Sequence, residues 1–414
     1  MRFDTIIIGG GLSGLVCGIR LQEAGQDCMI ISTGQNAMHF SSGSFDLLNR
    51  DMDGNPISEP HKAIANLKEC HPYSKIGPEK ILRYSGEVKD FFNKAGVNLK
   101  GSPEINGRML SPLGTLRQAW LTFEDVELFE NDKFDVGRKV LIANVKGYLD
   151  FNTKFIADGL EAYGHKCRIV DIDMPAFDRL RSNPSEMRSV NIAGVMEKPE
   201  IIAEFAECVT VDLEDEDTVV LPAVFGLKDT KAIEEIRRLL PVRTVFIGTM
   251  PPSIPGLRSQ FQLKKHFEAL GGTMLIGDEV INPEIEENKI KCVRSCNLGE
   301  VRLEADNFVL ASGSYFSKGL KATPEAIIEP LFGLDTDFAD GRDKWYDEDF
   351  FKPQAYLGFG VRTDSLFHPA LGGKTIENLY AIGAVLGGYN PVELGCGAGV
   401  AIMTAFNVAD SIIG

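Results

Sequence analysis

An apolar run, Thr5-Ile6-Ile7-Ile8, leads straight into Gly9-Gly10-Gly11-Leu12-Ser13-Gly14, and an apolar-periodic stretch from Leu15 to Ala24 follows and stops at Gly25. Strand, glycine turn and helix in this order leave few folds open. The three glycines at positions 9, 11 and 14 have separate tasks in such a turn. One permits the sharp change of direction, one lets backbone approach a phosphate, and one lets the helix pack on the strand. The helix start then presents unpaired N–H groups and a partial positive charge to an anion. Cys28–Ile31 reads as a second buried strand, which completes a βαβ unit. A GxGxxG string alone is weak. Between two strands and a helix it predicts a nucleotide-phosphate site with Gly9, Gly11 and Gly14 as cofactor-binding residues.

One expected feature is missing. The second strand of such a unit ends in Asp or Glu to hold an adenosine ribose, and here Ser32-Thr33-Gly34 stands in its place. Two explanations stay open: FAD with Ser32 as a weaker ribose contact, or FMN, which has no adenosine ribose. Two later segments favour flavin over NAD. Phe308-Val309-Leu310-Ala311-Ser312-Gly313-Ser314 is similar to the strand end that passes the cofactor in FAD-dependent oxidoreductases, and Asn378-Leu379-Tyr380-Ala381-Ile382-Gly383 resembles their C-terminal segment. Gly395-Cys396-Gly397 then opens a helix able to point N–H groups at a flavin ring. Gly313, Gly383 and Gly397 join the expected cofactor-binding set.

At 414 residues the chain can form two or three structural units. The Pro251-Pro252-Ser253-Ile254-Pro255 break suggests a boundary. The expected class is α/β: a Rossmann-like flavin-binding domain in two pieces, residues 1–48 and 251–414, around an inserted α+β domain at 49–250. Helices are expected over 78–95, 230–240, 257–270 and 397–413, and strands near 219–221, 273–276, 290–295, 300–303, 307–310 and 379–382. The formal charge of −16 argues against a nucleic-acid partner. The longest uncharged stretches, 378–392 and 394–409, fall short of the roughly 20 residues a bilayer requires, so no direct membrane span is expected. With no leader pattern at the N-terminus the expected location is cytoplasmic. Eight cysteines without a CxxC pair suggest free thiols, and no metal site is expected.

Gly360-Val361-Arg362-Thr363-Asp364 through Gly388 looks like the fumarate reductase and succinate dehydrogenase flavoproteins. Their next motif carries a His and an Arg that grip a dicarboxylate; here Asn390 replaces the His, no Arg follows, and Glu393 would repel that substrate. Over its whole length the chain instead resembles the B subunits of the bacterial anaerobic glycerol-3-phosphate dehydrogenases. The resemblance is carried by 39–48 (His39 to Leu48), His71-Pro72-Tyr73-Ser74, 111–117, Pro222-Ala223-Val224-Phe225-Gly226-Leu227 and the block 377–401. It implies oxidation of sn-glycerol 3-phosphate to dihydroxyacetone phosphate, with electrons passed to the quinone pool in anaerobic respiration on fumarate or nitrate. It also implies a catalytic partner, the FAD-containing A subunit, together with a membrane anchor, the iron–sulfur C subunit. Peripheral attachment to the cytoplasmic face of the inner membrane and FMN in this chain follow from the same resemblance. The competing readings are an independent flavin oxidoreductase on another small substrate and a non-catalytic structural or electron-relay subunit.

If this chain performs the chemistry, a base must take the C2 hydroxyl proton and cations must hold the phosphate. His39 is the base candidate, since it precedes Ser41-Ser42-Gly43-Ser44, whose Ser41 and Ser42 are expected to face the flavin. Arg258 and Arg117 are the phosphate candidates, though arginines in such positions are more often salt-bridge residues. Glu214-Asp215-Glu216-Asp217 reads as a solvated acidic loop. The acid-rich 335–349 segment, which runs into Phe350-Phe351, reads by default as an exposed loop, with a lid or an interface between subunits as the functional alternatives.

Overall fold

A computed structural model of the chain describes residues 1–130 and 134–414. It divides into two compact units: Met1–Ala37 with Asp46–Gly96 and Leu263–Gly414, and Met38–Phe45 with Val97–Gln262.

The first unit is built on a five-stranded parallel sheet. Its spatial order is Thr273–Ile276, Cys28–Ser32, Arg2–Ile8, Glu304–Leu310, Leu379–Ala381. Three of the strands carry unbroken apolar runs, Ile6–Ile8, Met29–Ile31 and Phe308–Leu310, where both faces are covered, as parallel sheets require. Ile6 and Ile7 are fully buried, as are Phe308 and Val309 beside them. The helix Leu12–Glu23 packs on this sheet so closely that a Cβ on Gly18 would come within 2.9 Å of Ile30 Cδ1. The C-terminal helix Gly397–Ile413 lies against the opening helix, and its apolar residues are buried nearly all round. The expected strand at 300–303 is replaced by an isolated bridge between Val293 and Leu303; the paired strand begins at Glu304.

Residues 49–96, expected in the inserted domain, belong to the first unit. The amphipathic helix Pro78–Lys94 explains why. Tyr84 and Phe91 meet the Phe406 ring edge-on, with centroids 5.6 and 5.0 Å apart. Arg20 ties three helices together, 2.6 Å from Asp410 and 2.8 Å from Glu87, with its guanidinium 4.3 Å from the Phe406 ring centre.

The second unit has a four-stranded, wholly parallel sheet in the order Arg243–Ile247, Thr218–Pro222, Lys139–Val145, Lys166–Ile172. Thr153–Ala162, Pro199–Val211 and Lys231–Leu239 supply its main helices. Smaller antiparallel ladders join Ser44–Phe45 and Leu99–Lys100 to Leu121–Phe123, and Gly107–Leu110 to Leu116–Ala119. The α+β expectation therefore becomes a parallel α/β core with antiparallel additions. The division between units falls inside the helix Ile254–Ala269 rather than at the prolines before it. Among the described residues no helix is long and apolar enough to cross a membrane.

Candidate flavin site and the Arg117 cluster

The glycine loop of the first unit shows which glycine serves what. Gly9 has φ +120°, and a Cβ there would lie 2.2 Å from the Ala311 carbonyl oxygen. A Cβ on Gly14 would lie 1.9 Å from the carbonyl oxygen of Gly9. These two glycines are required by the fold itself. Gly11 is different. Its φ of −78° suits any residue, and an added Cβ would find its nearest neighbour, Asn36 Cβ, at 3.9 Å. Among the described residues neither backbone nor packing asks for glycine at 11, and the space beside it is open.

The surroundings fit an anion. The opening helix has no side-chain cap and no acidic residue in its first turn, so its leading N–H groups are left for a phosphate. Asn36 Nδ2 donates to Gly10 O at 2.7 Å and braces the loop. The Ser312 Oγ is buried at the end of the neighbouring strand and has no hydrogen-bond partner among the described residues. Gly313 has φ +81°. Gly383 also has a left-handed φ, +71°, and its N–H donates to Thr404 Oγ1 at 3.0 Å; a Cβ on it would meet Ser13 Oγ at 2.6 Å, against the first turn of the opening helix. At Gly397 the only close neighbour of an added Cβ is Pro391 Cβ, at 3.4 Å. Gly9, Gly11, Gly14, Ser32, Gly313, Gly383 and Gly397 thus all lie in the first unit. Ser32 Oγ sits 3.3 Å from Gly34 O and 3.4 Å from Gly34 N, so it shapes the turn where the acidic residue is missing.

Sequence reasoning missed a buried cluster at the start of the C-terminal helix. His71 Nδ1 accepts from the Tyr73 N–H at 3.0 Å, and its Nε2 lies 4.0 Å from Cys396 Sγ. Tyr73 donates to Leu47 O at 2.8 Å, and the Tyr389 ring centre is 5.5 Å from that of His71. Burial lowers the His71 pKa to about 3 and pushes the Cys396 and Tyr389 pKa values up, so all three are neutral. The string His71-Pro72-Tyr73-Ser74 was the available signal. Asn390 caps the turn Pro391–Leu394, its Oδ1 accepting from Val392 N at 3.1 Å and Glu393 N at 3.2 Å, and its Nδ2 reaches Glu393 Oε2 at 3.2 Å. These two residues, which displace the dicarboxylate motif, hold each other.

His39, Ser41, Ser42, Arg117 and Arg258 all fall in the second unit. Arg117 Nη2 donates to Ser42 Oγ at 2.9 Å and to Ser44 Oγ. A half-buried guanidinium beside two hydroxyls is a fitting cradle for a phosphate. Ser41 Oγ accepts from the Gly43 N–H at 3.1 Å and shapes the same loop. The His39 Nδ1 is buried with no hydrogen-bond partner among the described residues, and burial lowers the ring's pKa. Arg258 is placed otherwise. It is 6% exposed, 2.7 Å from the buried Asp125 carboxylate, and it donates to Phe225 O at 3.2 Å and to Gly226 O. Its guanidinium is committed to the fold. Among the described residues no group of three His, Cys, Asp or Glu side chains gathers as a metal site would need.

The family model of the FAD binding domain matches residues 4–400. The chain is 41% identical over 416 residues to a Pectobacterium carotovorum subsp. carotovorum protein named as the B subunit of anaerobic glycerol-3-phosphate dehydrogenase, covering 100% of this chain and 99% of that one. A protein of the same name from Yersinia enterocolitica is 41% identical over 417 residues, covering 100% and 98%. A solved 3-ketosteroid Δ1-dehydrogenase from Sterolibacterium denitrificans is similar at a TM-score of 0.45 and 11% identity, covering 100% of this chain and 99% of that chain.

Proposed function

The chain belongs to the FAD-binding domain family and to the family of anaerobic glycerol-3-phosphate dehydrogenase B subunits, and from that membership we propose that it is the flavin-carrying B subunit of such a dehydrogenase, oxidising sn-glycerol 3-phosphate to dihydroxyacetone phosphate. The observation that carries the proposal is Gly11, a glycine that neither φ nor packing among the described residues requires, at the uncapped start of the opening helix and within a family match that spans nearly the whole chain. The nucleotide is FAD, the ligand for which the matching family is named, with Ser32 where an acid would hold the ribose. FMN, the cofactor that the resemblance implies and that the missing acid leaves open, is the alternative the test separates.

In this reading Gly9, Gly11 and the first turn of the opening helix hold the phosphates, and Gly313, Gly383 and Gly397 leave room for the nucleotide. A bound flavin supplies a two-electron acceptor for the C2 hydride. Within the second unit, Arg117 with Ser42 and Ser44 is the candidate to bind the substrate phosphate, and His39, whose pKa burial lowers, is the candidate base for the C2 hydroxyl proton. Electrons leave toward the quinone pool through the FAD-containing A subunit, then through an iron–sulfur C subunit that ties the assembly to the cytoplasmic face of the inner membrane.

The test is a steady-state assay of the co-expressed complex with glycerol 3-phosphate and an artificial acceptor, alongside acid release and chromatography of the flavin on this chain. A loss of about 100-fold in kcat/KM for Arg117→Ala, with FAD released from this chain, supports the reading. Undiminished activity in that variant removes the substrate site from this chain. Release of FMN corrects the nucleotide alone.

A further inference from the structure

Open parallel sheets bind their ligands outside the carboxyl ends of the strands. In the second unit the edge strand Arg243–Ile247 runs at that end into Gly248-Thr249. The loop that carries His39 and Ser42 lies alongside, running in the opposite sense. A Cβ on Gly248 would come within 2.8 Å of Ser42 O, the Ser253 N–H donates to His39 O at 2.9 Å, and a Cβ on Gly256 would lie 1.9 Å from Met38 O. Thr249 therefore falls between two anchored points. On one side is Ser42, whose Oγ accepts from Arg117 Nη2 at 2.9 Å in the candidate phosphate cradle; on the other is His39, the candidate base.

Along the strips 38–44 and 248–256, two buried side-chain polar atoms have no hydrogen-bond partner among the described residues: His39 Nδ1 and Thr249 Oγ1. Thr249 is only 6% exposed, so water does not stand in for the missing bond at the surface. The Tyr148 hydroxyl is within electrostatic reach of Thr249 but is bonded to Ser189 Oγ, at 2.7 Å, and makes no hydrogen bond to it. Asn144 Oδ1 is also buried without a partner among the described residues, but its strand is two places away in the sheet and its Nδ2 is engaged by Tyr148 O at 2.9 Å. A buried hydroxyl left unbonded costs stability, so valine would serve the fold at 249 as well as threonine does. The substrate has a matching group. In the reading above the phosphate is assigned to Arg117 and the C2 hydroxyl to His39, which leaves the C1 hydroxyl of glycerol 3-phosphate without a partner. We propose that Thr249 is the specificity residue that bonds this C1 hydroxyl, its Oγ–H able to donate or accept. The proposal rests on the substrate reading above and adds the residue that recognises the polyol end.

The experiment compares kcat/KM of the co-expressed complex for glycerol 3-phosphate and for propane-1,2-diol 1-phosphate of matching C2 configuration, which has a methyl group where the substrate has its C1 hydroxymethyl group. Wild type should prefer glycerol 3-phosphate by about 10- to 100-fold, because the deoxy compound leaves the Thr249 hydroxyl unpaired. Thr249→Val should bring the preference to within about threefold of unity without lowering the melting temperature, and Thr249→Ser should restore it. Arg117→Ala should slow both compounds and keep the preference, since both carry the phosphate. A preference that persists undiminished in Thr249→Val overturns the assignment, and so does a wild-type enzyme that shows none. A lower melting temperature in Thr249→Val with the preference intact assigns the hydroxyl to the fold and overturns it as well. Each of these outcomes leaves the substrate reading standing. Undiminished activity of Arg117→Ala with both compounds overturns the substrate reading itself.

Discussion

At Gly14 an added methyl group would sit 1.9 Å from the Gly9 carbonyl oxygen, whereas at Gly11 the nearest heavy atom is 3.9 Å away. The two positions should therefore respond in opposite ways to Ala. Gly14→Ala forces backbone apart and should cost about 3 kcal/mol or more in a denaturant titration. Gly11→Ala should leave the apo chain within about 1 kcal/mol of wild type, and slightly more stable through the lost freedom of the unfolded chain. The two arginines make a second contrast. Arg117→Ala should lower kcat/KM for glycerol 3-phosphate by about 100-fold, the cost of leaving a charged group unpaired, and, since it also removes the hydrogen bonds to Ser42 and Ser44, cost about 1–3 kcal/mol in stability. Arg258→Ala strands the buried Asp125 carboxylate and should cost about 3–5 kcal/mol in stability. The roles of Gly9 and Gly14 were legible in the sequence because turn, strand and helix are contiguous there. For Arg258 the salt-bridge role was the commoner expectation, but the partner was not legible, because Asp125 lies 133 positions away.

Elements whose pattern is local were read closely. The closing helix was expected over 397–413 and is Gly397–Ile413, and 78–95 became Pro78–Lys94 with proline at its first turn. Where these helices pack was not legible, since the Tyr84 and Phe91 contacts with Phe406 join segments more than 300 residues apart, and that packing moved 49–96 into the first unit. Phe406→Ala should accordingly cost about 3–5 kcal/mol in thermal or denaturant unfolding. The short helix Pro72–Ile76 starts at His71, whose Nδ1 caps it. His71 has a pKa of about 3 when folded, below its unfolded value of about 6.5. A depressed pKa gives stability that is complete above the unfolded value and is lost as pH falls toward the folded one. The window is pH 6.5 to 3, at no more than about 1.4 kcal/mol per pH unit. Comparing urea midpoints at about pH 6.5 and about pH 5, above the carboxylate range, should show this loss in wild type. His71→Asn keeps an acceptor for the Tyr73 N–H and should remove most of it; an unchanged slope would reject burial of a neutral imidazole as its source.

For the molecule as a whole, the cofactor residues gather in one unit and the candidate base and phosphate cation in the other. The sequence pattern showed that a flavin fold and a second sheet-containing unit were present. It could not show that the second core is a wholly parallel sheet, because buried strands of either sense read alike as short apolar runs. Nor could it show that the 38–45 loop belongs with that sheet, a placement fixed by contacts such as the Arg117 pairing with Ser42 and Ser44. Nucleotide binding at the first unit's glycine loop underlies every role assigned to the chain. Its most direct test is flavin stoichiometry, measured after acid release from purified wild-type chain and from Gly11→Leu. One flavin per wild-type chain and next to none in the variant is the expected result, with both folded by circular dichroism. A wild-type chain that stays colourless after incubation with FAD or FMN, or a Gly11→Leu variant that retains its full flavin, would contradict it.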